Sequence, residues 1–258
     1  MTKDKLSQFE TGVIKNQITQ FLFKYRTIDS TLKLLGNNSL WFSSPKDFND
    51  PFDCQIVPDI TNTESEIRNF IKTNTIGILS EQEIDNLASK THREPGRWKE
   101  TIESIYKEII NKTGVCCFAK NETNLLMWSH YSNSHNGVCL KFDVLKDIDL
   151  FYYPCPVNYQ NNYPVHNHLG DRETIIKDMI LTKSLDWKYE DEIRVFKMGQ
   201  AGLLSFKKEA LVEIIFGCNT NKDDIEKIIA TSKENNFNII FKSAVKMKKQ
   251  FGIEIIDL

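Results

Sequence analysis

Two glutamates, Glu190 and Glu192, lie two residues apart in WKYEDEIRVFKM, residues 187–198. We predict that this segment is a β-strand, in which alternate side chains share one face. The carboxylates would then lie about 7 Å apart, a spacing suited to stabilising positive charge or to general-base catalysis. Both glutamates are therefore candidate catalytic residues. The alternative, which the pattern alone favours, is a solvent-exposed strand face on which they alternate with Lys188 and Arg194.

A second group of side chains with chemical potential lies in the segment MWSHYSNSHNG. Its large, partly polar side chains suit a wall that stacks on a planar ligand ring, as in a cofactor-binding site. They are Trp128, His130, Tyr131 and His135. The alternative is an aromatic corner whose histidines bond to the local backbone.

Zinc ligation is a third use for the histidines of this chain. The histidines in question, which would act with nearby cysteines, are His130, His135, His166 and His168. The sequence contains neither a Cys-x-x-Cys pair nor a His-Glu-x-x-His motif, so zinc ranks low and we expect no metal.

Arginine and serine end two early predicted strands. Arg26 closes the segment QFLFKYR, and Ser43 and Ser44 close SLWFSS. An arginine at a strand end can bind a phosphate group through two hydrogen bonds, which makes these residues candidate cofactor contacts. The alternatives are a surface ion pair for the arginine and a turn before a proline for the serines.

The segment that follows the second strand, FNDPFDC, is rich in turn-forming residues. We predict an Asx-type corner that Phe48 and Phe52 pin to the core, which would form a rigid ligand rim. The candidate rim residues, together with Tyr25 of the first strand, are Asn49, Asp50 and Asp53. A purely structural corner is the alternative.

Composition limits the class of protein. The chain has 258 residues, 40% hydrophobic content and a net charge of −2, so a strongly basic nucleic-acid footprint is absent. No stretch approaches the roughly 20 apolar residues of a membrane span, and the six cysteines lack disulfide-framework spacing. We therefore predict a cytoplasmic protein with reduced thiols, no membrane partner and an oligomeric state left open.

The predicted elements favour an α+β fold. Residues 61–112 are typical of helix and contain two pairs with capping-box spacing, one of them Thr63 with Glu66. About eight short strands lie before and after this stretch, which favours a mixed or antiparallel sheet over a doubly wound fold. We predict one domain over residues 1–258 with a helical insertion at about residues 61–112.

Four ordered motifs resemble a widespread bacterial family known as domain of unknown function 2971. They are FKYR…TLKLL…LWFSSPKDFNDPFD, CCFA…LLMWSHYSNSHNGVCLKFD, KSLDWKYEDEIRVF and LVEIIFG. The resemblance runs from about residue 20 to residue 255, and the family name implies no activity.

The order of an early arginine, a serine and a late Glu-x-Glu is also similar to the Arg-Ser-Glu class of ADP-ribosyltransferases. That resemblance implies an ADP-ribosyltransferase-like fold in which Arg26 contacts NAD and Ser43 or Ser44 braces the nicotinamide ribose. It further implies that Glu192 stabilises an oxocarbenium-like transition state, while Glu190 orients the acceptor. A fixed carboxylate would meet that electrostatic demand.

Three functions follow as hypotheses. The first is an NAD-using transferase or NAD glycohydrolase, for example a phage-defence or stress effector, with a small nucleotide or macromolecular acceptor. The second is a sensor or effector module that binds a nucleotide or a protein without turnover. The third is a metal-dependent nuclease, for which the candidate residues are Asp50, Asp53, Lys188, Glu190 and Glu192.

Overall fold

The structure, a computed structural model, describes residues 3–170 and 172–258. Met1, Thr2 and Asp171, which belong to the predicted domain 1–258, lie outside the described residues. The chain divides into two compact units. The first contains the residues up to Ser43, Gly114–Val157 and Asp186–Leu258, and the second contains Ser44–Thr113 and Asn158–Leu185.

The first unit contains five helices and ten strands among the described residues. The helices are α1 (Lys3–Ile14), α2 (Ile28–Asn37), α6 (Leu125–Tyr131), α7 (Ile148–Phe151) and α9 (Lys222–Glu234). The strands are β1 (Phe21–Arg26), β2 (Ser39–Phe42), β4 (Gly114–Ala119), β5 (Val138–Asp143), β6 (Cys155–Pro156), β10 (Glu192–Lys197), β11 (Gly202–Ser205), β12 (Leu211–Phe216), β13 (Ile240–Lys246) and β14 (Ile253–Asp257).

Eight strands of the first unit form one mixed sheet in the order β14-β13-β12-β5-β1-β4-β10-β6. Only β12 and β13 pair in parallel, and the other neighbours are antiparallel. Strands β2 and β11 form a separate antiparallel pair. The predicted α+β class with a mixed sheet of about eight strands is therefore confirmed.

Both faces of the large sheet are buried, so its central strands carry apolar residues at successive positions. On β1, Leu22 packs into one core cluster with Phe118 of β4. Phe23 and Tyr25 pack into the other cluster, which contains Trp128 of α6. Because side chains alternate along a strand, this division assigns every β1 residue to a face.

Strands β1 and β4 pair at one registered position, Phe23 with Ala119. Farther along β4, Val115 exchanges two backbone hydrogen bonds with Ser43, at 2.9 and 2.8 Å. At Cys117, between these two positions, β4 has no registered partner residue in β1, and the Cys117 carbonyl oxygen accepts a hydrogen bond of 2.6 Å from Lys24 Nζ. We call this interruption of the strand pairing the β1–β4 opening.

The predicted strand 187–198 is corrected at its start. Residues Leu185–Glu190 form 3₁₀ turns, Asp191 has a left-handed φ of 44°, and β10 begins only at Glu192. The left-handed residue reverses the chain direction locally, so Glu190 and Glu192 do not share a pleated face.

The second unit is mainly helical. It contains α3 (Glu64–Asn74), α4 (Glu81–Arg93), α5 (Pro95–Lys112) and α8 (Arg172–Leu181), with the strands β3 (Val57–Asp59), β7 (Asn158–Gln160), β8 (Val165–Asn167) and β9 (Thr182–Ser184). Capping boxes begin α3 at Thr63 and α4 at Ser80, as the spacing predicts. Helices thus fill the predicted insertion. That residues 1–258 form a single domain stays a prediction.

Two glycines of the first unit are required by close backbone approach. A Cβ atom on Gly217 would lie 2.1 Å from the carbonyl oxygen of His135, and one on Gly137 would lie 2.2 Å from that of Arg26. These contacts fix the turn between α6 and β5 against the ends of β1 and β12.

We expect Gly217→Ala to lower the free energy of unfolding by about 1–3 kcal/mol, because the backbone must move to admit the methyl group. Gly36→Ala is the matched control, since a Cβ atom at this exposed helical position meets nothing within 4 Å. The control is expected to gain about 0.5–1 kcal/mol. Urea unfolding followed by circular dichroism measures both, and equal stability of Gly217→Ala and wild type would contradict the close approach.

Candidate functional site

A buried ion pair lies at the start of β10. Glu192 is 4% exposed and Arg194 is fully buried. The guanidinium donates to both carboxylate oxygens, from Nε to Oε1 at 2.8 Å and from Nη2 to Oε2 at 3.1 Å. Positions i and i+2 share a strand face, so the sequence spacing itself creates this pair. The bidentate contact fixes the orientation of the Glu192 carboxylate.

Glu190 reaches the same region from the 3₁₀ turns before β10. Its carboxyl group is 4% exposed, and its Oε1 accepts a hydrogen bond of 2.5 Å from the hydroxyl of Tyr131. Burial is the largest cause that raises the pKa of Tyr131, and the contact with Glu190 is the next largest. Glu192 makes a smaller contribution. The hydroxyl therefore stays protonated and donates. We call Tyr131, Glu190, Glu192 and Arg194 the acidic cluster.

The acidic cluster corrects the prediction of a solvent-exposed charge ladder. Both glutamates and Arg194 are buried, while Lys188 is exposed in the preceding turns. Burial of these charges is compatible with folding because hydrogen bonds accompany it. The pattern of alternating charge could not reveal this burial, because a solvated face and a paired buried row have the same sequence.

Cys117 adjoins the acidic cluster, although the sequence indicated only a core thiol. It lies opposite Arg194 in the pairing of β4 with β10. Desolvation by burial raises the pKa of this thiol well above its usual value, and the nearby Glu192 carboxylate is the second cause of the increase. Cys117 is therefore a protonated thiol, which is a poor nucleophile.

The predicted aromatic wall is only partly accessible. Trp128 is completely buried, with its Nε1 donating to the Glu122 carbonyl at 2.7 Å. Tyr25 packs edge-on against it, is 6% exposed and donates to the Asn121 carbonyl at 3.0 Å. These two residues belong to the core, so neither forms a ligand wall or rim. His130 is exposed, and its Nδ1 lies 3.2 Å from the hydroxyl of Tyr189.

His135 belongs to a turn with unusual backbone angles. Asn133, Ser134 and His135 have φ values of 50°, 53° and 67°, which L-residues adopt at a cost. The His135 ring lies parallel to Trp128, with 6.4 Å between ring centroids, and its Nδ1 has no hydrogen-bond partner in the part of the chain that is described. Burial and then the nearby Lys246 lower the pKa of His135, so the ring is neutral near pH 7.

Arg26 lies at the β1–β4 opening. Its side chain is half-buried, and its Nε is buried without a hydrogen-bond partner within residues 3–170 and 172–258. Burial lowers the pKa of Arg26, which signals an uncompensated cost of desolvating its charge. Lys24 shares this side of β1, where its Nζ lies 5.0 Å from the centroid of the Phe118 ring. The opening thus holds two cationic side chains.

The structure does not bring Arg26 into the acidic cluster. Phe23, Ala119 and Glu192 form one row across β1, β4 and β10, so their side chains share a face. Arg26 lies three residues beyond Phe23 and therefore points to the opposite face. Its Cα is displaced from that of Glu192 by about 10 Å along the strands and about 10 Å across them.

The two candidate serines also lie apart from Glu192. Ser43 is paired with Val115, four residues along β4 from the Glu192 position, and its Oγ accepts from Trp41 Nε1 at 3.1 Å. Ser44 belongs to the second unit, where its hydroxyl donates to the Asn111 carbonyl at 2.7 Å. The arrangement implied by the Arg-Ser-Glu resemblance is therefore not present as one cluster.

The Asx corner lies in the second unit and its aspartates shape its own backbone. Asp50 Oδ1 accepts from the Phe52 amide at 2.9 Å, and Asp53 Oδ1 accepts from the Cys54 amide at 2.8 Å. Asn49 is exposed. Phe52 is 67% exposed, so the prediction that it pins the corner to the core is wrong. These contacts favour the structural interpretation of the corner.

The histidines of the zinc alternative have other contacts. His166 Nε2 lies 2.8 Å from Asp178 Oδ2, and His168 bonds to Trp98 and to the Asp59 carbonyl. Among residues 3–170 and 172–258, no group of three or more His, Cys, Asp and Glu side chains is placed to hold a metal ion. None of the described helices is both long and apolar enough to cross a membrane. The cytoplasmic location stays a prediction.

We expect Arg194→Met to lower the free energy of unfolding by about 3–5 kcal/mol, because it removes the bidentate partner of a buried carboxylate. Lys112→Met is the matched control, since it breaks a 2.6 Å contact with Glu108 in which both side chains are two-thirds exposed. That loss is expected to be below about 1 kcal/mol. Denaturant unfolding compares the two variants, and similar losses would show that burial does not set the strength of the Arg194 pair.

Comparison with known proteins gives one match. The model of a family described as "Protein of unknown function (DUF2971)" matches residues 127–195. No curated protein and no solved structure matches the chain. The matched segment contains all four residues of the acidic cluster. Over residues 127–195 the chain is thus similar to this family, for which no function is described.

Proposed function

We propose that the protein binds a phosphorylated nucleotide at the β1–β4 opening, through Arg26. The observation that carries this proposal is a half-buried guanidinium that has no hydrogen bond or ion pair to the described residues. A buried charge without a partner lowers stability, and a bound anion would offset that cost. The planar guanidinium suits phosphate oxygens because it donates two parallel hydrogen bonds.

Two neighbouring features increase the positive potential at this position. Lys24 precedes Arg26 by two residues, so both side chains belong to the same side of β1. Helix α2 begins directly after Arg26, with Thr27 as its N-cap. The amino end of a helix carries partial positive charge, which favours an anion close by.

Binding without turnover, as in a sensor or effector module, is the function that this geometry supports best. Arg26 and Glu192 point to opposite sheet faces, and Glu192 is already held by Arg194. A ligand phosphate on Arg26 would therefore not present its ribose directly to Glu192. NAD is the first nucleotide to test, because the Arg-Ser-Glu resemblance implies it.

NAD cleavage is the second candidate function, and the acidic cluster is the observation that favours it. A transferase or glycohydrolase needs a carboxylate that stays ionised while positive charge develops on the ribose. Arg194 places a cation directly against the Glu192 carboxylate, and Tyr131 orients Glu190. A phage-defence or stress role is an example of where such an activity would serve, and the acceptor of a transferred group stays open.

The nuclease alternative stays a prediction. Asp50 and Asp53 belong to the second unit, whereas Glu190 and Glu192 belong to the first. The aspartate oxygens named above bond to their own loop, and the glutamates bond to Tyr131 and Arg194.

Binding is tested by isothermal titration of NAD, ADP-ribose, AMP and pyrophosphate into wild-type protein, Arg26→Gln and the control Arg93→Gln. Arg93 is an exposed helical arginine. We expect Arg26→Gln to weaken binding about 10- to 150-fold, the value of one charge-assisted contact of about 1.5–3 kcal/mol, and the control to bind as wild type does. Unfolding without ligand provides a second measurement, in which Arg26→Gln should be at least as stable as wild type because it removes an unpaired charge.

Three results would overturn the binding proposal. The first is an Arg26→Gln variant that binds these ligands as tightly as wild type, and the second is a wild type that binds none of them. The third is a sharp loss of stability in Arg26→Gln without ligand, which would assign the arginine a structural role.

Turnover is tested by measuring nicotinamide release from NAD by wild type, Glu192→Gln, Tyr131→Phe and the exposed control Glu254→Gln. An enzyme is expected to lose at least about 100-fold in rate in Glu192→Gln while NAD binding persists. Tyr131→Phe keeps the ion pair of Glu192 and tests the cluster if Glu192→Gln fails to fold. If wild-type protein binds NAD but releases nicotinamide no faster than buffer does, the enzyme hypothesis fails and the non-catalytic binding module is the function.

A further inference from the structure

The second unit contains a groove that none of the functions above uses. It has a volume of about 920 Å³ and is lined by parts of α3, α5 and the segment after β8. Along α5, the lining runs from Trp98 to Tyr106, a length of about 12 Å. We call it the amide groove, because carboxamides form one of its walls.

The carboxamide wall comes from α3 and the residue before its N-cap. Helix α3 packs through Ile67 and Ile71 into a small apolar cluster, and another stripe of the helix lines the groove. The uncharged polar lining residues of this wall are Asn62, Asn69, Thr73 and Asn74. A carboxamide offers a donor and an acceptor side by side, so the wall can pair with a ligand edge that carries both.

Asn62 is the least satisfied of these carboxamides. It is 7% exposed, and its buried Oδ1 has no hydrogen-bond partner among the described residues. A buried acceptor without a donor costs free energy. A ligand N–H group that reached Asn62 from the groove would satisfy this acceptor.

The lining residues from α5 include Trp98, whose ring is held in one orientation. Trp98 Nε1 donates to His168 Nε2, and the two rings meet edge to face with centroids 5.3 Å apart. Since an indole only donates, His168 Nε2 must accept and carries no proton. His168 Nδ1 then carries the proton and donates to the Asp59 carbonyl at 3.0 Å. These two bonds fix the half-buried Trp98 ring before a ligand arrives.

The described lining of the amide groove carries no positive charge. Among the described side chains, neither lysine nor arginine lines the groove, and Glu66 is the one charged lining residue. The Glu66 carboxylate already accepts from the amide and hydroxyl of Thr63, at 2.8 and 2.9 Å. The described lining residues therefore offer a phosphate no cation, whereas a neutral ring would lose little by leaving water.

From these features we infer that the amide groove binds a neutral nucleobase or nucleoside. The base stacks on the fixed Trp98 ring, and its donor–acceptor edge pairs with the carboxamides, among them Asn62 and Asn69. Stacking on an aromatic side chain contributes about 1–3 kcal/mol per base, and one bidentate amide–base contact discriminates by a similar amount. The site is separate from Arg26 and needs no phosphate.

Nuclear magnetic resonance tests this inference on the full chain. The indole N–H signal of Trp98 is assigned by its absence in Trp98→Phe and followed during titration with adenosine, guanosine, cytidine and uridine. At least one nucleoside should shift it with saturation. Asn69→Ala should weaken that binding about 10-fold, while Asn86→Ala, which removes an exposed carboxamide from α4, should leave it unchanged.

Arg26→Gln separates this inference from the nucleotide site. Nucleoside binding at Trp98 should be the same in this variant as in wild type, even if the binding of phosphorylated nucleotides is lost. The inference is overturned if no nucleoside shifts the Trp98 signal, if a neutral oligosaccharide shifts it while nucleosides do not, or if Asn69→Ala binds as tightly as wild type. Circular dichroism confirms that each variant keeps its fold.

Discussion

The separation of β1 from β4 is the constraint on which the first unit depends. The two strands meet at Phe23 and Ala119, and Ser43 takes over the edge of β4 at Val115. Backbone groups between these positions need partners from elsewhere, and the Lys24 side chain supplies one to Cys117. In a continuous β1–β4 ladder the backbone of the second half of β1 would pair with β4, so the interruption is what distinguishes the surroundings of Arg26 from an ordinary strand end.

The two groups of charged side chains in this unit differ in how far the fold satisfies them. In the acidic cluster, each buried carboxylate has a donor that fixes its orientation. At the β1–β4 opening, Arg26 is desolvated without such a partner. A satisfied buried charge is compatible with a purely structural role, whereas an unsatisfied one calls for a partner from outside the chain. This difference is why Arg26, and not Glu192, carries the binding proposal.

Local signals in the sequence predicted what local physics determines. The capping boxes at Thr63 and Ser80 and the α+β class follow from short-range patterns. Positions that depend on the rest of the fold were missed. Asp191 adopts a left-handed angle that no local pattern requires, and it removed Glu190 from the predicted strand. The sheet face on which the Arg26 and Glu192 side chains lie depends on the strand register across β1, β4 and β10. The amide groove was missed because its lining comes from three segments that are far apart in the sequence.

The strand order has a consequence for the chain as it is made. β1 lies between β4 and β5, yet both partners follow it by roughly 90 residues or more, because the second unit intervenes. At about 5–20 residues per second, the apolar segment Phe21–Tyr25 waits some 5–20 s on the ribosome before either partner is synthesised. Throughout that interval both of its edges lack their strand partners, which is the condition under which an apolar strand segment can pair with other chains.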